Sequence, residues 1–244
     1  MKSIISIFFL VLISLNSIAQ TDINKLDDKG NKHGKWIGVY PDSKRPRYEG
    51  VFNHGKEIGI FKYLDDTKAI TVIATRTFKE NTTEAYTVFY DQNGFIVSQG
   101  NTVNKLKEGE WTFYHYSSKD IMSTEVYLND KLNGLKKVFY KSGGLAEEVQ
   151  YVKDFQNGIY KKYAENDVVL EESNYLNGEY HGKINISDAS NISTIQGQYK
   201  NGRAVGVWKY FTNNKLEKEE NKDELNNKKA KPLSENKTNK KKKS

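Results

Sequence analysis

The sequence predicts an all-β protein, an elongated single antiparallel sheet of about eight consecutive β-hairpins. Three observations carry this. A glycine recurs at Gly34, Gly59, Gly109, Gly134, Gly158, Gly182 and Gly206, spaced by 25 residues early and 24 late. An aromatic stands two residues after it at Trp36, Phe61, Trp111, Tyr160 and Trp208, and Tyr86 holds the same place after Glu84. Turn pairs such as Asn93-Gly94, Ser142-Gly143, Asn166-Asp167 and Asn213-Asn214 divide the units. A fixed period of 20 to 50 residues signals stacked repeats, and aromatics between Asn/Gly turns signal hairpins.

The gap from Gly59 to Gly109 is two periods, with Glu84 in the empty slot. Eight units follow, the last truncated, and hence sixteen short strands. At ~4.8 Å per strand the sheet would extend on the order of 75 Å. Side chains alternate along a strand, so positions two and four after the anchor share a face. Position five faces the other way. Phe52, Tyr127, Tyr151, Tyr175 and Tyr199, each seven residues before an anchor, close the returning strands.

Two-residue loops fix a register. A loop at Asn166-Asp167 sets Lys162 against Glu171 and Lys161 against Glu172. One at Ser142-Gly143 sets Lys137 against Glu148, and one at Asn213-Asn214 sets Tyr210 against Glu217. Opposite charges across strands support the three Lys–Glu pairings by roughly 0.2–1 kcal/mol each.

The units run in order. Unit one spans His33-Gly34 to Phe52 with a turn at Pro41-Asp42-Ser43. Unit two turns at Asp65-Asp66 and returns through the β-branched run Ile70-Thr71-Val72-Ile73. Unit three turns at Asn93-Gly94, unit four near Ser117 to Asp120. Unit five holds Phe139-Tyr140 and unit six Tyr163. Unit seven, Gly182 to Tyr199, has few aromatics, and unit eight ends at Glu220.

The run Asn201-Gly202-Arg203-Ala204-Val205-Gly206-Val207-Trp208-Lys209-Tyr210-Phe211 resembles the MORN repeat in its bacterial variant form. There an Asn-Gly or Asp-Gly turn and a short spacer precede Gly-x-Trp/Tyr-x-x-Tyr-Tyr. The resemblance covers about Asn31 to Glu220. Glu84 for glycine, Lys136 for the aromatic and the stretch Gly182-Lys183-Ile184 depart from it. The resemblance implies a scaffold of hairpins, and its YwqK-type branch carries the label of antitoxins.

Outside the array, residues 1–19 read as a secretory signal. Lys2 is the positive start, Ile4 to Leu15 the apolar stretch, and Ser17-Ile18-Ala19 the cleavage site. Export to a periplasm or the exterior follows. Residues 20–33 are a polar lead-in, 34–220 the array and 221–244 a tail expected to be disordered. The tail holds nine lysines and three acids, whereas the array and lead-in balance 28 basic against 28 acidic residues. The body is therefore no basic nucleic-acid binder, while the tail suits anionic surfaces. The absence of cysteine excludes disulfides, zinc–thiolate sites and thiol catalysis.

No motif in the sequence points to catalysis, a cofactor or a metal. His33 and His181 precede anchors and read as turn residues. His54 and His115 match neither. Glu147, Glu148, Glu171, Glu172, Glu217 and Glu219 recur on returning strands and read as neutralised pairs rather than a calcium ladder. The candidate binding residues are the regularly spaced rings of units four to six: Trp111, Tyr114, Tyr140, Tyr160 and Tyr163. They serve either as core or as a strip that holds a partner, a protein first, a glycan or lipid otherwise. The expected function is an exported, non-enzymatic repeat scaffold for protein interaction or the cell envelope. An antitoxin or immunity protein that neutralises a partner toxin is the alternative.

Overall fold

The computed structural model describes residues 22–80 and 82–224. The signal segment and residues 225–244 of the tail lie outside the described residues. The chain forms a single open antiparallel sheet in hairpin succession. Its strands are β1 Lys25–Leu26, β2 Lys32–Val39, β3 Pro46–Asn53, β4 Lys56–Leu64, β5 Val72–Phe78 and β6 Glu84–Tyr90. There follow β7 Ile96–Val103, β8 Leu106–Tyr114, β9 Ile121–Leu128, β10 Lys131–Leu132, β11 Gly134–Phe139 and β12 Leu145–Val152. The last six are β13 Phe155–Tyr163, β14 Val169–Leu176, β15 Glu179–Ser187, β16 Ser193–Lys200, β17 Arg203–Thr212 and β18 Lys215–Asn221. The eight units are the hairpins β2–β3, β4–β5, β6–β7, β8–β9, β11–β12, β13–β14, β15–β16 and β17–β18. Two short strands add to the expected sixteen. β10 is the start of β11, split off at Asn133, and both pair with β9. β1 comes from the polar lead-in and pairs with β2.

Except between β5 and β6, the hairpins are joined by two-residue turns with both residues at positive φ, including Asn104-Lys105, Asn129-Asp130, Lys153-Asp154, Asn177-Gly178 and Asn201-Gly202. These are type I′ turns, whose twist matches that of the strands. Each turn also bonds back to the preceding unit. The N–H groups of Gly55, Asp130, Asp154, Gly178 and Gly202 donate to the carbonyls of Lys32, Lys107, Leu132, Gln156 and Tyr180.

From Gly59 on, the anchor glycines sit in bulges. Val149 faces Tyr160 and Tyr151 faces Gln156, so three residues around Gly158 lie opposite Gln150 alone. The same shift flanks Gly59, Gly182 and Gly206. All seven anchors have φ between 63° and 140°, a region costly for a residue with a Cβ. Unit three shows why Glu84 is tolerated. β5 and β6 pair without a shift from Ala74↔Phe89 to Phe78↔Ala85. The two extra residues lie instead in a longer turn, closed by the Lys79 N–H to the Glu84 carbonyl at 3.0 Å.

That change reverses two rings. Tyr86, expected on the face of the other second-position aromatics, points the opposite way and is exposed. Phe89, expected to face away from them, joins them and packs 6.2 Å from Trp111. Three further expectations need correction. Ile70 has φ 53° and belongs to the turn, where the Asp65 carboxylate accepts the Thr67 and Thr71 N–H groups. The strand therefore starts at Val72, not Ile70. Tyr210 pairs with Lys218 rather than Glu217, because a bulge at Tyr210/Phe211 follows the two-residue loop. The loops at Asn93-Gly94, Ser142-Gly143 and Asn166-Asp167 have three residues, with a one-residue bulge beside each. Loop and bulge cancel, so Lys161↔Glu172, Lys162↔Glu171 and Lys137↔Glu148 hold as expected.

The core is one row that crosses the whole sheet on one face. It reads Trp36, Gly50, Phe61, Arg76, Thr87, Gly100, Trp111, Glu125 along the first half. It continues through Lys136, Val149, Tyr160, Ser173, Ile184, Gly197 and Trp208. Size is matched across strands. A Cβ on Gly50 would stand 2.5 Å from the Phe61 ring, on Gly100 2.6 Å from Trp111, and on Gly197 2.3 Å from Trp208. The largest rings thus lie flat over glycine. Where the ring is absent the partner changes too: Lys136 forms a 3.0 Å ion pair with Glu125, largely shielded from water. Edge-to-face rings extend the row, as in Phe52–Phe61, Phe61–Phe78, Tyr160–Tyr175 and Tyr199–Trp208.

Both ends of the sheet are capped. The Asn24 amide accepts the Ile37 N–H at 2.8 Å and donates to the Ile37 carbonyl at 3.0 Å, mimicking a strand residue on the β2 edge. At the other end β18 is rich in charge, and the helical turn 222–224 lets Asp223 accept the Gly206 N–H. Such devices block edge-to-edge association.

Candidate functional site: a groove on the aromatic face

On the aromatic face one concavity of about 1210 Å³ is lined by residues from Lys32 in β2 to Asp130 after β9. Its rings include Tyr48, Tyr63, Phe78 and Phe89, and Phe89 is 42% exposed. Its cations are Lys32, Arg47, Lys56, Arg76, Lys105 and Lys107, against the carboxylates Glu57 and Asp130. None of the six forms a salt bridge among the described residues, although lysines on the opposite face pair with acids at Lys62–Glu49, Lys161–Glu172 and Lys209–Glu219.

Lys32, Arg76 and Lys107 are held by rings and hydroxyls. Lys32 Nζ lies 4.7 Å from the Trp36 ring centre and 4.8 Å from that of Phe52, and donates to the Tyr48 hydroxyl at 2.7 Å. Lys107 Nζ lies 4.5 Å over Tyr127 and 5.1 Å over Trp111. Arg76 donates to Thr87 and Thr102, whose hydroxyls bond each other at 3.0 Å. Cation–π contacts fix an ammonium without neutralising its charge, so the groove keeps a positive field.

The five rings singled out in the sequence do not form one strip. Trp111 is wholly enclosed, with its indole N–H donated to the Asn101 carbonyl at 2.8 Å. Tyr160 shares its face and donates to Glu147 at 3.4 Å. Tyr114 and Tyr163 lie on the opposite face, bonded to Gln99 and Glu148. The Tyr140 hydroxyl donates to the Tyr163 carbonyl at 2.6 Å, just as Tyr40 donates to the Leu64 carbonyl at 2.7 Å. These two are staples between units. Tyr140→Phe should therefore cost about 0.5–1.5 kcal/mol in a denaturant titration, the worth of one hydrogen bond.

The recurrent acids divide by face. Glu148, Glu172 and Glu219 form surface pairs with Lys137, Lys161 and Lys209. Glu147 and Glu171 turn to the aromatic face, where Tyr160 and Tyr180 donate to them. Among the described residues, no three His, Asp or Glu side chains gather as a metal-holding group. His33 and His181, expected at turns, lie instead within β2 and β15, and each ring accepts the backbone N–H of a turn residue, His54 and Asn201.

The tyrosines of this face carry a pH dependence. Burial, reinforced by the neighbouring Glu125, pushes the Tyr127 hydroxyl well above its ordinary value of 10.0. Burial and then Glu147 do the same at Tyr160, and burial, Tyr175 and Glu171 at Tyr180. The fold favours their neutral form. Their contribution is complete below pH 10 and is lost as pH rises beyond it. Tyrosinate absorbance should lag behind free tyrosine above pH 10 and rise together with the loss of the β-sheet circular dichroism.

No protein-family model matches the sequence, and no curated protein matches it. The groove was not anticipated from the sequence, yet signals for it exist. Lys32 and Lys107 each stand two residues before an anchor, at equivalent positions of units one and four. Arg76 occupies the row position that Gly50 and Gly100 fill elsewhere.

Proposed function

We propose that this chain is an exported, non-enzymatic repeat scaffold that holds a partner in the groove across units one to four. The observation that carries it is the set of six unpaired cations around half-exposed rings in a body whose net charge is zero. An extended concave surface is the usual binding surface of a repeat array. Concentrated charge of one sign in a cleft draws an oppositely charged partner. Export rests on the sequence features of residues 1–19. The groove, rather than the strip of units four to six, supplies open rings, because Trp111 is enclosed and Tyr140 is spent on a staple. A photo-crosslinking residue at Phe89 in the full chain should capture a partner from the cell envelope, and one at Ile60 on the opposite face should not. Capture at Ile60 without capture at Phe89 would overturn the reading.

A further inference from the structure

We propose that the groove's ligand is an acidic polysaccharide, a chain of pyranose rings bearing carboxylates. The inference rests on the groove being the binding site and asks what chemistry fits it. The floor is a sheet face whose strands β2 to β9 are each paired with their neighbours. It offers no free edge, so the main-chain hydrogen bonds that seat a peptide on a sheet are not available. Recognition falls to side chains. The volume exceeds the roughly 300–1,000 Å³ of small-molecule pockets, and the groove runs across four units, which suits a segment of polymer.

The side chains present match such a polymer. Phe89 stands between Ala74 and Ser98, small neighbours that leave its ring open. An aromatic face is electron-rich, and the C–H bonds on a sugar face are polarised with hydrogen positive, so the two stack. Thr82, Thr83 and Asn104 line the groove with hydroxyl and amide groups suited to sugar hydroxyls. Lys32, Arg76 and Lys107 stand on β2, β5 and β8. They are three strands apart, or about 14 Å of sheet at each step. That spacing suits carboxylates repeated along a chain and not a single anion.

The test uses the full chain with three probes: polygalacturonate oligomers, the same oligomers with their carboxylates reduced, and poly-glutamate of equal charge. One variant carries Lys32→Gln, Arg76→Gln and Lys107→Gln. The control carries Lys62→Gln, Lys161→Gln and Lys209→Gln, which remove the same charge from the opposite face and leave the lysine-rich tail in place. Phe89→Ala is tested separately, and every variant is melted. Polygalacturonate should bind the control, lose roughly 100-fold in the groove variant and roughly tenfold in Phe89→Ala, at tenfold per 1.4 kcal/mol. The reduced oligomers and poly-glutamate should bind only weakly and equally to all variants. If the triple variant melts early, Lys107→Gln and Phe89→Ala carry the comparison. Poly-glutamate bound as tightly, and lost in the same variants, would overturn the polysaccharide and leave an acidic protein in the groove. Equal binding of every probe to control and groove variants would overturn both the polysaccharide and the groove as the site.

Discussion

Trp111→Ala should cost roughly 3–5 kcal/mol, the range for deleting an enclosed large ring. Gly100→Ala alone should cost roughly 1–3 kcal/mol by overpacking, because its new Cβ would meet three atoms of that ring at 2.6 Å. The two changes should not add. Once the ring is gone the Cβ has room, and alanine in a strand is better than glycine by roughly 0.5–1 kcal/mol. The double variant should therefore be no less stable than Trp111→Ala. Gly109→Ala separates the two uses of glycine in this chain. It has φ 72° and nothing within 4 Å of its Cβ, so it should cost only backbone strain, roughly 1–2 kcal/mol. Denaturant titrations of the four proteins measure all of this. Full additivity at Gly100 and Trp111 would show that the ring does not rest on that glycine.

Glu125→Ala should be strongly destabilising at the middle of the sheet. It strands Lys136, whose side chain is 26% exposed, beneath the aromatic row. Removing one partner of a shielded ion pair costs roughly 3–5 kcal/mol, and residual exposure of Lys136 puts this case towards the lower end. Lys136→Met should cost less, because Glu125 keeps the Tyr127 and Ser123 hydroxyls as donors. Burial works to raise the Glu125 carboxyl, but the hydrogen bonds of Tyr127 and Lys136 outweigh it and hold it below the usual range. The informative variant is Glu125→Gly with Lys136→Trp. It rebuilds in unit five the glycine-and-ring pair of Gly100 and Trp111, and its stability should return to near that of the native chain. Apolar replacement of a shielded ion pair is commonly neutral or favourable. A double variant as unstable as Glu125→Ala would show that the row is not a set of interchangeable pairs.

Much of this architecture was legible in the sequence because it repeats. The anchors gave the eight hairpins, and the opposed Lys161 and Glu172 gave their register. The register survived a wrong loop length only because each three-residue loop is offset by a bulge. At Asn213-Asn214 the loop really has two residues, the bulge remains, and the expected pairing of Tyr210 slipped by one. The anchors read as the glycines that open each first strand, yet from Gly59 on they lie inside the strand at bulges, and Glu84 without its bulge turned Tyr86 and Phe89 to unexpected faces. Ile70 has the side chain of a strand residue, but Asp65 draws the chain around it into a turn. The groove was the least legible feature. Its cations come from strands far apart in sequence, and single-unit patterns do not show which of them share one concavity. The split of Lys136 and Glu125 from the repeat looked like noise in one unit and has meaning only across two.

The central claim is the open sheet itself, with each strand paired to its neighbours in sequence and the row in the stated register. Backbone nuclear Overhauser contacts in the full chain test it most directly. Contacts should link Gly100 with Trp111, Val149 with Tyr160 and Ser173 with Ile184, and none should link β2 with β18. Contacts between β2 and β18 would mean a closed barrel, and pairings displaced by one residue would turn the aromatic row to the other face; either result would contradict the account.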